Sequence, residues 1–242
     1  MKKIVLTLSL ISLFMSTAVL AAPVANLKVA GSITPPTCTV NGGDSADLIY
    51  SFGSISPSVI PQDSTYNGLP SISNNLTVTC DAETFLTFKA TDNYPNEFIQ
   101  TPGMNINYRS HSFNLVDVTD TSKTIGGISY SWLNVTVDGK PAYISRANDG
   151  SYDNGTWSQE RQIIKNATNG WTKTQQRYVA PPALDLLSGK IFNATFYNSI
   201  AINYGVGATY LHSKNMLTDD GIDITNGLDY LGQVVLNFNF GV

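Results

Sequence analysis

Apolar and polar residues alternate with a period of two along much of the chain. Leu27, Val29, Gly31 and Ile33 fall on one face, with Lys28, Ser32 and Thr34 on the other. The same spacing recurs at Leu76, Val78 and Cys80, at Leu86, Phe88 and Ala90, at Phe192, Ala194 and Phe196, and at Ile200, Ile202 and Tyr204. It is clearest at the C-terminal end, where Val234, Leu236, Phe238, Phe240 and Val242 oppose Val235, Asn237, Asn239 and Gly241. Side chains of a strand point to alternate faces, so this pattern predicts half-buried β-strands with one face on a core.

Between these runs lie dipeptides suited to tight hairpins: Asn41-Gly42, Asn67-Gly68, Asp138-Gly139, Asp149-Gly150, Asn154-Gly155, Asn169-Gly170, Asp220-Gly221 and Asn226-Gly227. Each supplies the positive φ that two-residue turns require. Many short strands punctuated in this way predict a sandwich or a barrel. No long-period repeat or linker interrupts the pattern, so one domain over residues 22–242 is expected.

Composition narrows the function. Of 242 residues only 13% are charged, against 10% aromatic, with 19 Gly and 11 Pro. Disordered chains are charge-rich and poor in aromatics, and Gly and Pro are the costliest residues in helices. A net charge of −4 argues against nucleic acid as a partner, because phosphate contacts need clustered Lys and Arg.

The first residues read as an address. Lys2 and Lys3 precede an apolar run from Ile4 to Leu20, followed by Ala21-Ala22-Pro23. A basic start, an apolar stretch and small residues at its end describe a secretory signal peptide, here 1–21 with cleavage after Ala21. The run is shorter than the ~20 apolar residues a spanning helix needs, so the mature chain is expected not to span a membrane. Export gives the two cysteines a meaning. Cys38 and Cys80 would meet an oxidising compartment, where a single disulfide is the default.

The stretch Leu27-Lys-Val-Ala-Gly-Ser-Ile-Thr-Pro-Pro-Thr-Cys38 resembles the first strand of a chaperone–usher pilin. Asn75-Leu-Thr-Val-Thr-Cys80 resembles the strand bearing the second pilin cysteine, and Phe85-Leu-Thr-Phe-Lys-Ala-Thr-Asp92 the one after it. The C-terminal run from Gly232 to Val242 is similar to the segment that pilin chaperones grip. The middle resembles enterobacterial fimbrial-like proteins of unknown function, some encoded beside the glutamate synthase operon. The residues that carry this likeness are Gly126-Gly127-Ile128-Ser-Tyr130, Asp149-Gly150, Thr156-Trp157-Ser158 and Leu228-Asp229-Tyr230-Leu231-Gly232.

The resemblance implies an immunoglobulin-like β-sandwich lacking its last strand, with an enlarged middle region of extra strands and loops. It also implies partners: a periplasmic chaperone, an outer-membrane usher and other fimbrial subunits, with a host receptor or glycan beyond them. The subunit would pass through the periplasm to a fimbrium at the cell surface. A missing strand leaves an apolar groove and an unpaired edge, which invite strand addition from another chain. Val234, Leu236, Phe238, Phe240 and Val242 are the residues expected to line that groove. Only Ala22 to Asn26 would precede a first strand at Leu27. At ~3.3 Å per residue they are too short for a donor strand, so the subunit is expected to accept a strand without donating one, at a fibre tip.

Other chemistry is weaker. No nucleophile, base and acid stand in a catalytic motif, and no enzyme activity or cofactor is expected. His111 and His212 read as surface or turn residues. Asp149, Asp153 and Glu160 resemble a calcium loop only loosely, because Asn154 stands where that loop needs Gly. Trp132, Trp157 and Trp171, with Tyr130, Tyr143, Tyr152 and Tyr178, crowd the middle third. They would either fill a core or, if exposed, stack on sugar rings. Two alternatives remain open: a self-complete periplasmic β-sandwich with a binding role, and a small outer-membrane β-barrel.

Overall fold

The computed structural model describes residues 25, 27–152, 161–200, 202–203 and 206–241. The expected signal peptide, 1–21, lies outside them. The chain divides into two compact units, Met1–Pro35 and Pro36–Val242, and the fold is that of the second.

It is all-β. In chain order the first strands are β1 (Cys38–Val40), β2 (Ser73–Asp92), β3 (Phe113–Asp117), β4 (Thr124–Ile128) and β5 (Tyr130–Val137). The middle region adds β6 (Lys140–Pro141), β7 (Tyr143–Ala147), β8 (Thr168–Thr172) and β9 (Arg177–Val179). Then come β10 (Ser188–Asn198), β11 (Ile202–Asn203), β12 (Val206–Gly207), β13 (Tyr210–Leu211) and a short helix, α1 (Lys214–Asp219). Two strands close the chain, β14 (Tyr230–Leu231) and β15 (Val234–Phe240).

The long strand β2 belongs to two sheets. Its first part pairs antiparallel with β1 and β10, and β10 continues to β5 and β6. Its second part pairs with β15 on one edge and β8 on the other, and β8 continues to β7 and β9. A third sheet runs β13-β4-β3-β14.

The apolar faces of these strands enclose one core. Leu86, Phe88 and Ala90 of β2 are fully buried, as are Trp171 of β8 and Phe192 of β10. Phe88 is the hub, with ring centroids 5.7 Å from Trp171, 6.0 Å from Phe196 and 5.9 Å from Phe238. The Trp171 indole donates to the Asn193 carbonyl at 3.2 Å, which satisfies the one polar atom its burial would otherwise strand. A buried ion pair, Lys165 to Asp92 at 3.1 Å, fixes the end of β2. The same carboxylate accepts from the Asn114 and Tyr94 amides.

Most of the expected strands form where the alternation places them. The exception is the first. Residues 27–37 hold no strand, and Leu27, Val29 and Ile33 are 98%, 101% and 104% exposed. The sheet begins only at Cys38. The run at Ile200, Ile202 and Tyr204 also differs: β10 stops at Asn198, and a separate short hairpin, β11-β12, follows. Tyr204 lies outside the described residues.

The turn dipeptides divide in two. Asn41 and Gly42 both have positive φ, as do Asp138 and Gly139, which close the β5-β6 hairpin. Asn169-Gly170 is no turn but the buried centre of β8. A Cβ on Gly170 would come within 2.6 Å of a Leu186 methyl and 3.0 Å of Thr87, so its glycine serves close packing between layers. Asn154-Gly155 lies outside the described residues.

Candidate functional site: an apolar groove beside the last strand

β15 pairs with β2 along one edge only. Asn93 donates to the Gln233 carbonyl and Gly241 to the Phe85 carbonyl, each at 2.9 Å. Backbone direction alternates along an antiparallel strand. The odd-numbered residues of β15 therefore face β2, and Val234, Leu236, Phe238 and Phe240 turn their amides and carbonyls outward. Among the described residues no strand pairs with that outer edge.

Facing it is the stretch 44–55, which holds no regular element. Among the described residues it makes no backbone–backbone hydrogen bond. It is held by side chains instead. Tyr50 donates to the Phe196 carbonyl at 3.2 Å, and Asn74 donates to the Ile49 carbonyl at 2.8 Å. Leu48, Tyr50 and Phe52 turn inward and pack on the core, while Ile49 and Ser51 are exposed.

Between these two edges lies a groove of about 1390 Å³. Val234, Leu236 and Phe238 form one wall, and Leu48, Tyr50 and Phe52 the other. The floor is core: Leu76, Leu115, Ile125, Ile128, Ile163 and Phe196. Tyr50 packs edge-on against Tyr130 at 5.1 Å. Burial pushes the Tyr50 and Tyr230 phenols up to about 12, so both stay neutral. The Tyr230 hydroxyl is buried and has no hydrogen-bond partner among the described residues. An apolar trough beside the outer edge of β15, which is unpaired among the described residues, has the shape and hydrogen-bonding capacity for one more strand.

Of the five residues expected to line this groove, Val234, Leu236 and Phe238 do so. Phe240 shares their strand but is 48% exposed beyond the lining, and Val242 lies outside the described residues. The facing wall was not expected, although Leu48-Ile-Tyr50-Ser-Phe52 carries the same period-two signal. Cys38 and Cys80 are joined as expected. They sit directly opposite one another in the β1–β2 register with Cα atoms 4.0 Å apart.

The remaining candidates move. Trp132 and Trp171 are core residues, 2% and 0% exposed, whereas Tyr143, Tyr152 and Tyr178 stand at the surface. Trp157 is outside the described residues, with Asp153, Asn154 and Glu160. Asp149 bonds to Lys89 at 2.8 Å and accepts from the amide and hydroxyl of Thr168.

His111 and His212 are not surface residues: they are 4% and 1% exposed. Burial lowers the His111 pKa to about 3, with Lys165 and Arg146 adding to the effect. Burial likewise lowers His212 to about 4, against a hydrogen bond at Thr124 that raises it. Both rings are therefore neutral in the fold but take up protons near pH 6.5 once it opens. The unfolded chain binds more protons throughout that window, so stability is complete above pH 6.5 and declines as pH falls toward 4. Each histidine should remove up to about 1.4 kcal/mol per pH unit. Urea midpoints measured from pH 7.5 to 4 will test this, and replacing both histidines with Gln should flatten the slope.

Compared with known proteins, the sequence matches no family model and no curated relative.

Proposed function

We propose that the chain is an exported fimbrial or fimbrial-like structural subunit whose groove is completed by a β-strand from another chain. The observation that carries this reading is the groove itself, lined by β15 and residues 44–55, with the outer edge of β15 unpaired among the described residues. Among the described residues no strand closes that trough, which favours this reading over a self-complete binding protein. The filled apolar core weighs against a β-barrel, whose strands carry their apolar faces outward toward lipid. A cross-strand disulfide suits an oxidising compartment such as the periplasm.

The exposed segment 27–33 changes one part of the expectation. We read this segment, which holds no strand, as the donor that Ala22 to Asn26 are too short to be. It spans seven residues, the length of β15, and offers Leu27, Val29 and Ile33 to a groove. On this reading the subunit is both acceptor and donor, an alternative to the accept-only tip position expected from the sequence. A periplasmic chaperone would occupy the groove first, and an outer-membrane usher would arrange the exchange.

Full-length chain purified from the periplasm without a chaperone should form a ladder of oligomers that survives unheated SDS electrophoresis. A chaperone strand that caps the groove should collapse the ladder to a one-to-one complex. A stable monomer with its groove closed by its own chain would overturn the proposal and favour the self-complete sandwich.

A further inference from the structure

The groove is apolar inside but its rim carries charge of one sign. Asp44, Asp47 and Asp229 line it and are all exposed, and among the described residues no Lys, Arg or His lines the groove. Tyr50 and Tyr230 add no charge, because burial holds both neutral. The chain from Ala25 to Gly43 is the complement: it carries a single charged side chain, Lys28, and no acid before Asp44. In the alternation of that segment Leu27, Val29 and Ile33 share one face and Lys28 the other. When the apolar face enters a groove, Lys28 is left at the rim.

We propose that the acidic rim is a selection device, which favours an incoming strand bearing a cation on its outer face and disfavours acidic ones. Its occupant is residues 27–33 of a second copy, and Lys28 is the residue read by Asp44, Asp47 and Asp229. This rests on the strand-acceptor reading above. Exposed charges add little to affinity once a strand is seated. Their effect lies in steering encounter and repelling wrong partners, and it falls with salt.

The test uses dilute full-length chain carrying Val29→Asp and Ile33→Asp, so that no copy fills another's groove, with a large excess of labelled synthetic peptide spanning 25–36, either native or with Lys28→Glu. In 20 mM salt the Lys28→Glu peptide should associate about tenfold more slowly than the native one. The difference should vanish near 0.5 M salt, where the screening length is only about 4 Å. Asp44→Asn, Asp47→Asn and Asp229→Asn combined in the acceptor should abolish it at low salt as well. These acids are exposed, so the triple variant is expected to fold. Equal rates for both peptides at low salt would overturn the selection role while leaving strand acceptance intact. Failure of either peptide to bind at any salt would overturn strand acceptance itself, and the rim's role with it.

Discussion

Replacing Cys38 and Cys80 by serine will cost the fold about 4 kcal/mol, the chain-entropy value for the loop they close. They are 42 residues apart, and that loop contains stretch 44–55, one whole wall of the groove. Among the described residues no backbone–backbone hydrogen bond ties that wall to a strand, so the anchor at β1 matters more than its three residues suggest. Folded proteins hold only about 5–15 kcal/mol in reserve. The double variant should therefore show a urea midpoint shifted down by a large fraction, and it should be cleaved by protease within 44–55 before elsewhere. A midpoint within error of the native one would contradict this account of the wall.

The second large effect concerns assembly rather than stability. Val29→Asp with Ile33→Asp will abolish the oligomer ladder. Each of Leu27, Val29 and Ile33 gains about 1.5–3 kcal/mol on passing from water into a groove, and a carboxylate there would be buried without a partner. The same double variant will leave the monomer unchanged within about 0.5 kcal/mol, the usual range for surface positions, because both side chains are fully exposed in it. A first strand of the subunit's own sandwich would behave in the opposite way. Acid at Val29 and Ile33 would then unfold the monomer, and its thermal midpoint would fall sharply.

Those opposite outcomes mark where the sequence was ambiguous. Alternation identified β2, β10 and β15 because each buries one face, and period two reports burial on one face whoever supplies the core. At Leu27 to Ile33 the same signal is present, yet no strand forms there and its apolar residues are exposed. A strand destined for another molecule carries the same pattern as one destined for its own. Val234, Leu236 and Phe238 were legible for the same reason, whereas the opposing wall at Leu48, Tyr50 and Phe52 was overlooked beside stronger runs. The buried histidines were not legible. Their burial depends on how β3, β4 and β13 pack, a long-range consequence of pairing that local composition around His111 and His212 does not carry. Gly170 misled in the same way: Asn-Gly suits a hairpin locally, but packing against Leu186 decided its place.

The central claim is that the outer edge of β15 is an open acceptor for a strand. Amide hydrogen exchange on β15 tests it most directly. In the full-length Val29→Asp/Ile33→Asp variant, which cannot fill a neighbour's groove, the amides of Val235, Asn237 and Asn239 point to β2 and should be protected. Those of Val234, Leu236 and Phe238 point to the empty side and should exchange at rates near those of an open chain. Adding a peptide of residues 25–36 should slow Val234, Leu236 and Phe238 by orders of magnitude and leave the other set nearly unchanged. If the even-numbered amides are protected before any peptide is added, or remain fast when it is in saturating excess, the groove is not a strand acceptor.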